Sequence, residues 1–257
     1  MRFQGKVAIV TAAANGIGKA TSKILAREGA QLVAVDINSG ALAELTKEIE
    51  REGGNISTLE TNVLEGNQVK DLVNSVVGRF NKIDILVNAV GGSTIIPNST
   101  ASVDNLSLDD WDKIIQFNLK GTFLCTSAVV SQMKKQGNGK IVNISSDAAH
   151  GGNLMGDPSS AYVAAKAGIM AFTKKVAREA GPYGVTCNAI APSVTLSERV
   201  GPRWEQRSEE NKQQLLEQIP LRRVSQPDDQ AKVIAFLASG DADYVTGVTI
   251  DTSGGRY

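Results

Sequence analysis

The stretch "KVAIVTAAANGIGKATSKILAREGAQLVAVD", residues 6–36, decides how the chain folds. It opens with an apolar run ending at Thr11, turns through "TAAANGIG", continues with apolar residues at helical spacing, and closes on a second apolar run ending at Asp36. Short β-branched runs of this kind read as strands buried on both faces, as parallel strands between helices must be. The segment between them is long enough for a crossover helix, and such crossovers are right-handed. Gly16 and Gly18 let the backbone come close to a pyrophosphate where the helix begins, and free N–H groups with a partial positive charge favour an anion there. Asp36, ending the second strand, can accept both hydroxyls of an adenosine ribose and would repel a 2′-phosphate, so the expected cofactor is NAD rather than NADP. Asp36 could instead cap the next helix, but Asn38 and Ser39 are better placed for that.

Outward from this unit, "NISTLE", "DILVNA", "GKIVNIS", "GVTCNAI" and "GVTID" continue the strand pattern, separated by amphipathic segments such as "GALAELTKEIEREGG" and "NQVKDLVNSVVGRF". The order predicts an α/β fold: a doubly wound parallel sheet of about seven strands, flanked by helices on both faces, with residues 1–257 forming one domain. Two long loops stand out, 91–106 and 191–225. The second holds Pro192, Pro202, Trp204 and the polar "EQRSEENKQQ", and is read as a substrate loop or lid.

The 257 residues carry 27 Lys+Arg against 27 Asp+Glu. A balanced charge without basic runs gives no pull toward nucleic acid or an anionic membrane surface. No apolar stretch approaches the length of a membrane span, and the start runs straight into a strand without a signal-peptide core, so a cytoplasmic protein is expected. Cys125 and Cys187 read as buried free thiols. With a single histidine and no paired cysteines, no metal site is expected.

A second stretch, "SSAYVAAKAGIMAF" at 159–172, places Tyr162 and Lys166 at i and i+4 on one helix face. A free phenol has a pKa about three units too high for a base at neutral pH, and a nearby ammonium lowers an acid by ~1–3 units. The pair could make a tyrosinate that takes a proton from an alcohol, or a phenol that gives one to a ketone. A surface tyrosine beside a solvated lysine is the plainer reading of the same spacing, and the surrounding motifs decide between them. Those motifs are Thr11 with the glycine loop, Asp36, "VNAVG" at 87–91, Asn118 in "QFNLKG", "IVNISS" at 141–146, "YVAAK" at 162–166 and "NAIAPS" at 188–193. In this order, and over essentially the whole length, the chain resembles the short-chain dehydrogenase/reductase family, which has a Rossmann-like fold.

The resemblance implies a catalytic tetrad. Tyr162 would be the acid/base, Lys166 would lower its pKa and hold the nicotinamide ribose, Ser146 would hydrogen-bond the substrate oxygen, and Asn118 would position a water. It also implies that Thr11, Ala12, Asn15, Gly16, Ile17, Gly18, Asp36, Asn62, Val63, Asn88, Ala89, Val90, Pro192 and Thr195, together with Tyr162 and Lys166, hold the dinucleotide. Many relatives are homotetramers whose long helices, matching 107–136 and 159–181 here, pack across interfaces. Four positions depart from the family pattern. Ala12 stands for a glycine and tolerates positive φ poorly, so the turn is expected to shift. Val90 brings a branched side chain near the cofactor, Asn62 replaces an aspartate, and Ser193 replaces a glycine.

The expected reaction is hydride transfer between NAD(H) and a secondary alcohol or ketone, the substrate being cyclic or carboxylated, with Ser146, Tyr162, His150 and Trp204 facing it. His150 belongs to the rim "DAAHGGNLMGDPSSA", and Arg203 and Arg207 could meet a carboxylate, phosphate or coenzyme A tail. The alternative is an NADP-dependent 3-oxoacyl-type carbonyl reductase, and a non-catalytic dinucleotide-binding regulator ranks below both. A nucleotide-sugar epimerase shares Y-x-x-x-K but resembles longer chains.

Overall fold

The computed structural model describes residues 1–151 and 158–256. Strands β1 (Val7–Thr11), β2 (Gln31–Asp36), β3 (Asn55–Glu60), β4 (Ile85–Asn88), β5 (Gly139–Ile144), β6 (Val185–Pro192) and β7 (Thr249–Thr252) form one parallel sheet in the order β3-β2-β1-β4-β5-β6-β7. All seven apolar runs of the sequence are strands, and Ile9 pairs in register with both Val33 of β2 and Leu86 of β4.

Alternation along each strand feeds two cores. Ala8, Val10, Leu32 and Ala34 face α1 (Gly16–Arg27), α2 (Ser39–Arg51) and α9 (Pro227–Ala238). Val7, Ile9, Val33 and Val35 face α3 (Gly66–Phe80), α5 (Gly121–Gln136) and α6 (Ser160–Ala180). Successive strand residues point to opposite faces, so each central strand needs apolar side chains throughout, and β1 and β4 are buried at every position. Cys125 and Cys187 are buried free thiols in the second core, and burial pushes both up to about 12.

Two features depart from the sequence reading. The 191–225 segment is not a plain loop: it starts within β6 and carries α7 (Gly201–Glu205) and α8 (Glu209–Glu217). The polar composition of α8 hid its period, because Leu215 is its one buried residue. The helix expected over 107–136 is broken by a π turn at Gln116–Lys120, between α4 (Leu108–Ile115) and α5. Such a turn bulges the helix by an extra residue and often marks a functional position.

The sheet order reverses at β1. Its crossover helix α1 lies on one face, while β4, on β1's other side, leads to helices on the opposite face. A crevice opens beyond the carboxyl ends of strands at such a switch point.

Candidate active site

That crevice is a cleft of about 660 Å³ running from Asp36 and the glycine loop to Ser146, Tyr162 and the 191–225 segment. At one end the chain leaves β1 through Ala12, which holds φ +48°. The alanine at the position where the family has glycine takes the left-handed conformation itself. Gly16 follows at φ +53°. A Cβ on Gly18 would lie 2.1 Å from the Ala12 carbonyl oxygen, so α1 packs against the turn more closely than any side chain permits. Asn15 precedes α1 without a side-chain cap. The result is a backbone cradle at a helix N-terminus, suited to a dinucleotide pyrophosphate.

Asp36 stands at the rim of this cradle. Its carboxylate accepts the Ala14 and Asn38 N–H groups, each at 3.1 Å, while Asn38 caps α2 by accepting from Ala41 at 2.9 Å. Ala12, Asn15, Ile17, Asn62, Val63, Ala89, Val90, Pro192 and Thr195 also line the cleft. Thr11 and Asn88 are not among the lining residues and serve beneath it. The Thr11 hydroxyl accepts the Ala89 N–H at 2.9 Å, which ties β1 to the end of β4. The Asn88 amide donates to Thr126 and Asn143 at 3.0 and 2.8 Å.

At the other end, β5 delivers Ser145 and Ser146 to the sheet edge, and α6 sets Tyr162 and Lys166 against them. The alanines of α6 allow this approach: Ala161 and Ala165 are fully buried beside the pair. The Ser145 hydroxyl donates to the Lys166 carbonyl at 2.7 Å, and Lys166 Nζ donates to the Ile144 carbonyl at 2.9 Å, so strand and helix are pinned at the reacting groups. Ser146 Oγ accepts the Ala148 N–H at 3.2 Å and donates to Asp147 Oδ1 at 3.3 Å, and its hydroxyl favours the ionised form of the neighbouring Tyr162.

Charge at this end differs from the expectation. Burial pushes the Tyr162 phenol above its ordinary value of 10.0, with the Asp147 carboxylate adding to the rise; the Ser146 hydroxyl and the Arg199 guanidinium oppose it. Burial, with the Arg199 guanidinium adding to it, lowers the Lys166 ammonium to about 7. Its Nζ lies 5.6 Å from the centre of the Tyr162 ring.

Asn118 occupies the π turn, wholly buried. Its Oδ1 accepts the Gly92 N–H at 2.8 Å, and its Nδ2 donates to the Gly92 and Ile114 carbonyls at 3.0 Å. The side chain clamps the start of the 91–106 loop instead of facing the cleft. A Cβ on Gly91 would lie 2.7 Å from Lys166 Nζ and 2.8 Å from Asn118 Oδ1, so these two members of the expected tetrad meet at that glycine.

Two expected substrate residues lie elsewhere. Trp204 is buried with Leu215, Ile219 and Val224 in a small core beneath the lid, where its large apolar surface holds α7 to α8. His150 sits 2.7 Å from Asp251 of β7 and is not among the lining residues. Residues 152–157 of the rim fall outside the described residues.

In their place the cleft presents groups that the sequence reading missed. Glu198 accepts the Gly16 N–H at 2.8 Å, and Arg199 donates to the Gly91 carbonyl at 2.9 Å. Ser197 lines the cleft over Gly16. Asp147 and Arg256 form a buried ion pair at 2.6 Å, also in the wall. No local pattern announces these residues, since Glu198 and Gly16 lie 182 positions apart and Asp147 and Arg256 109. Among the described residues, no His/Cys/Asp/Glu cluster could hold a metal ion and no helix is long and apolar enough to cross a membrane.

Comparison with known proteins agrees with this geometry. A family model described as enoyl-(acyl carrier protein) reductase, of the short-chain alcohol dehydrogenase type, matches residues 11–256. The 3-oxoacyl-[acyl-carrier-protein] reductase of Thermotoga maritima is 40% identical over 256 residues, covering 99% of both chains. The structure of levodione reductase superposes with a TM-score of 0.90 at 29% identity, covering 99% of this chain and 98% of that one. A short-chain type dehydrogenase/reductase from Mycobacterium ulcerans superposes at 0.91 with 27% identity, covering 100% and 91%. With the glycine cradle, the Asp36 rim and the Ser146–Tyr162 contact already in place, these likenesses establish that the chain is an oxidoreductase belonging to the short-chain dehydrogenase/reductase family, whose members use a nicotinamide dinucleotide and a small-molecule substrate.

Proposed function

We propose that the protein is a carbonyl reductase acting on 3-oxoacyl thioesters, with Tyr162 giving the proton. The observation that carries this reading is the state of Tyr162. A phenol held above its ordinary value keeps its proton at neutral pH, which suits protonation of an alkoxide formed from a ketone. Ser146, lining the same cleft as that phenol, could donate to the same oxygen and stabilise charge developing on it. The nicotinamide supplies the hydride when bound. Lys166 and the Gly91–Gly92 backbone, fixed by Asn118, would orient its ribose. Oxidation of a secondary alcohol uses the same residues in reverse.

The thioester part rests on the T. maritima relative's name and on the lid. Arg203 and Arg207 line the cleft, and a guanidinium can pair with the phosphate of a carrier arm or of coenzyme A.

Asp36 supports NAD(H) over NADP(H). Among the described residues no ion pair is made to it; Ile37 and Asn38 follow it, and the first cation of α1, Lys19, is paired with Glu48 at 2.8 Å. We assign the activity to one domain and the chain to the cytoplasm. A homotetramer is proposed on the outward aromatic pair of α5 and α6, where Phe123 is 50% exposed and meets Phe172 edge-to-face at 6.3 Å. The test is turnover of acetoacetyl-coenzyme A and a panel of cyclic and linear ketones with NADH and NADPH. Faster NADH-linked reduction of the thioester is expected. Turnover confined to simple ketones would overturn the substrate class, and a preference for NADPH would overturn the cofactor assignment.

A further inference from the structure

The wall beside Ser146 carries a charged pair that the reaction as described does not use. Asp147 follows Ser146 directly, and its carboxylate is shared between two groups. Its Oδ2 accepts from Arg256 Nη1 at 2.6 Å, and its Oδ1 accepts from the Ser146 hydroxyl at 3.3 Å. Both charged side chains are deeply buried, at 8% exposure for Arg256 and 10% for Asp147. Arg256 comes from the segment after β7, so it reaches the site from the far side of the sheet's edge.

Ser146 has one proton and two claimants for it. A serine hydroxyl donates once. If that proton goes to Asp147, the hydroxyl can only accept, from Tyr162 or the Ala148 N–H, and its support for developing negative charge on the substrate oxygen is lost. The short bond from Arg256 draws the carboxylate's charge away from Ser146, as the two distances reflect: an ion pair at 2.6 Å against the longer hydrogen bond from Ser146 at 3.3 Å.

We infer that Arg256 is a positioning residue: by holding Asp147, it keeps the Ser146–Asp147 bond long, so that the Ser146 proton can turn to the substrate oxygen when a carbonyl is bound. The inference rests on the proposed proton-transfer role of Ser146 and Tyr162. The charged and titratable groups around the phenol are Asp147, Arg199 from the lid and Lys166 from its own helix. Those around Asp147 are Arg256 and Ser146. Burial pushes the Asp147 carboxyl up, and Arg256 is the main influence pulling it down.

The experiment compares wild type with R256M, R256K, D147A and the D147A/R256M double variant, following kcat, KM and their pH dependence. R256M is expected to lower kcat by ~10–100-fold with little change in KM, and to move the Tyr162-dependent limb of the profile to higher pH. R256K should recover part of the loss. The double variant should recover most of it, because the competing carboxylate is gone. D147A alone should move the limb to lower pH. A passive tie between the chain's last segment and the cleft would instead lower the melting temperature and leave every pH profile where it was, and that result overturns the inference.

If R256M does not fold, D147A decides the matter: an unmoved limb overturns the inference. If wild type reduces no carbonyl with either dinucleotide, the proposed function fails. The inference is then read from the ultraviolet phenolate titration of Tyr162, taken as the difference from Tyr162→Phe: upward in R256M and downward in D147A supports it, and no movement overturns it.

Discussion

The Glu198 carboxylate accepts the backbone N–H of Gly16 at 2.8 Å, across the mouth of the glycine cradle. The first N–H groups of a helix attract anions, so this side chain sits where a pyrophosphate would compete with it. Glu198→Gln is expected to tighten NADH binding by about 3- to 10-fold, in keeping with the strength of single helix-terminus interactions. Fluorescence titration of wild type and variant checks this, and an equal or weaker affinity in the variant would contradict it.

Tyr162→Phe is expected to leave NADH binding near the wild-type value and to lower turnover by at least ~100-fold, the usual contribution of a positioned proton donor. The ring and its packing remain, and only the proton carrier is removed. Steady-state kinetics beside a binding titration separate the two effects.

Lys166 links stability to pH. Its folded-state value of about 7 lies below the ordinary 10.5, so between these values the unfolded chain binds the extra proton and stability rises with pH. From pH ~7 to ~9 the gain is about 2 kcal/mol, and Lys166→Met lacks it. Denaturant melts of both proteins across that interval, without dinucleotide, should show wild type gaining on the variant. Parallel curves would refute the burial argument.

Ala12 and Gly18 make opposite demands on one turn. Ala12→Gly relieves a left-handed residue and is expected to stabilise the fold by roughly 0.5–1 kcal/mol without weakening NADH binding. Gly18→Ala drives a methyl into the Ala12 carbonyl and should abolish dinucleotide binding. Thermal melts and binding titrations on both variants test the pair of claims.

The sheet was legible from the sequence because apolar strands between amphipathic helices leave a pattern that local chemistry imposes, and each of the seven runs is a strand. Ser146, Tyr162 and Lys166 were legible for a different reason: they belong to spaced motifs, and the structure brings them together. Asn118 and Thr11 were identified as residues of the site, yet the structure uses them to brace Gly92 and Ala89. Trp204 was read as a pocket residue because loop aromatics so often are, and only the packing of α7 on α8 shows it to be core. Glu198, Arg199 and the Asp147–Arg256 pair depend on contacts between distant segments. No spacing rule reports these, nor the loss of charge that burial imposes on Lys166.

The strand order also sets a timetable for synthesis. β1, β2 and β3 come from the first 60 residues and can pair as soon as they emerge, leaving one side of β1 open. β4, β5, β6 and β7 then join in chain order, each on the edge left by the one before. A nascent chain therefore keeps β3 as a fixed edge, while its other edge is always the flank that the next strand will cover. A ribosome stalled between β4 and β5 would expose the edge of β4, a strand buried at every position in the finished fold, which makes this interval one where a chaperone has much to protect.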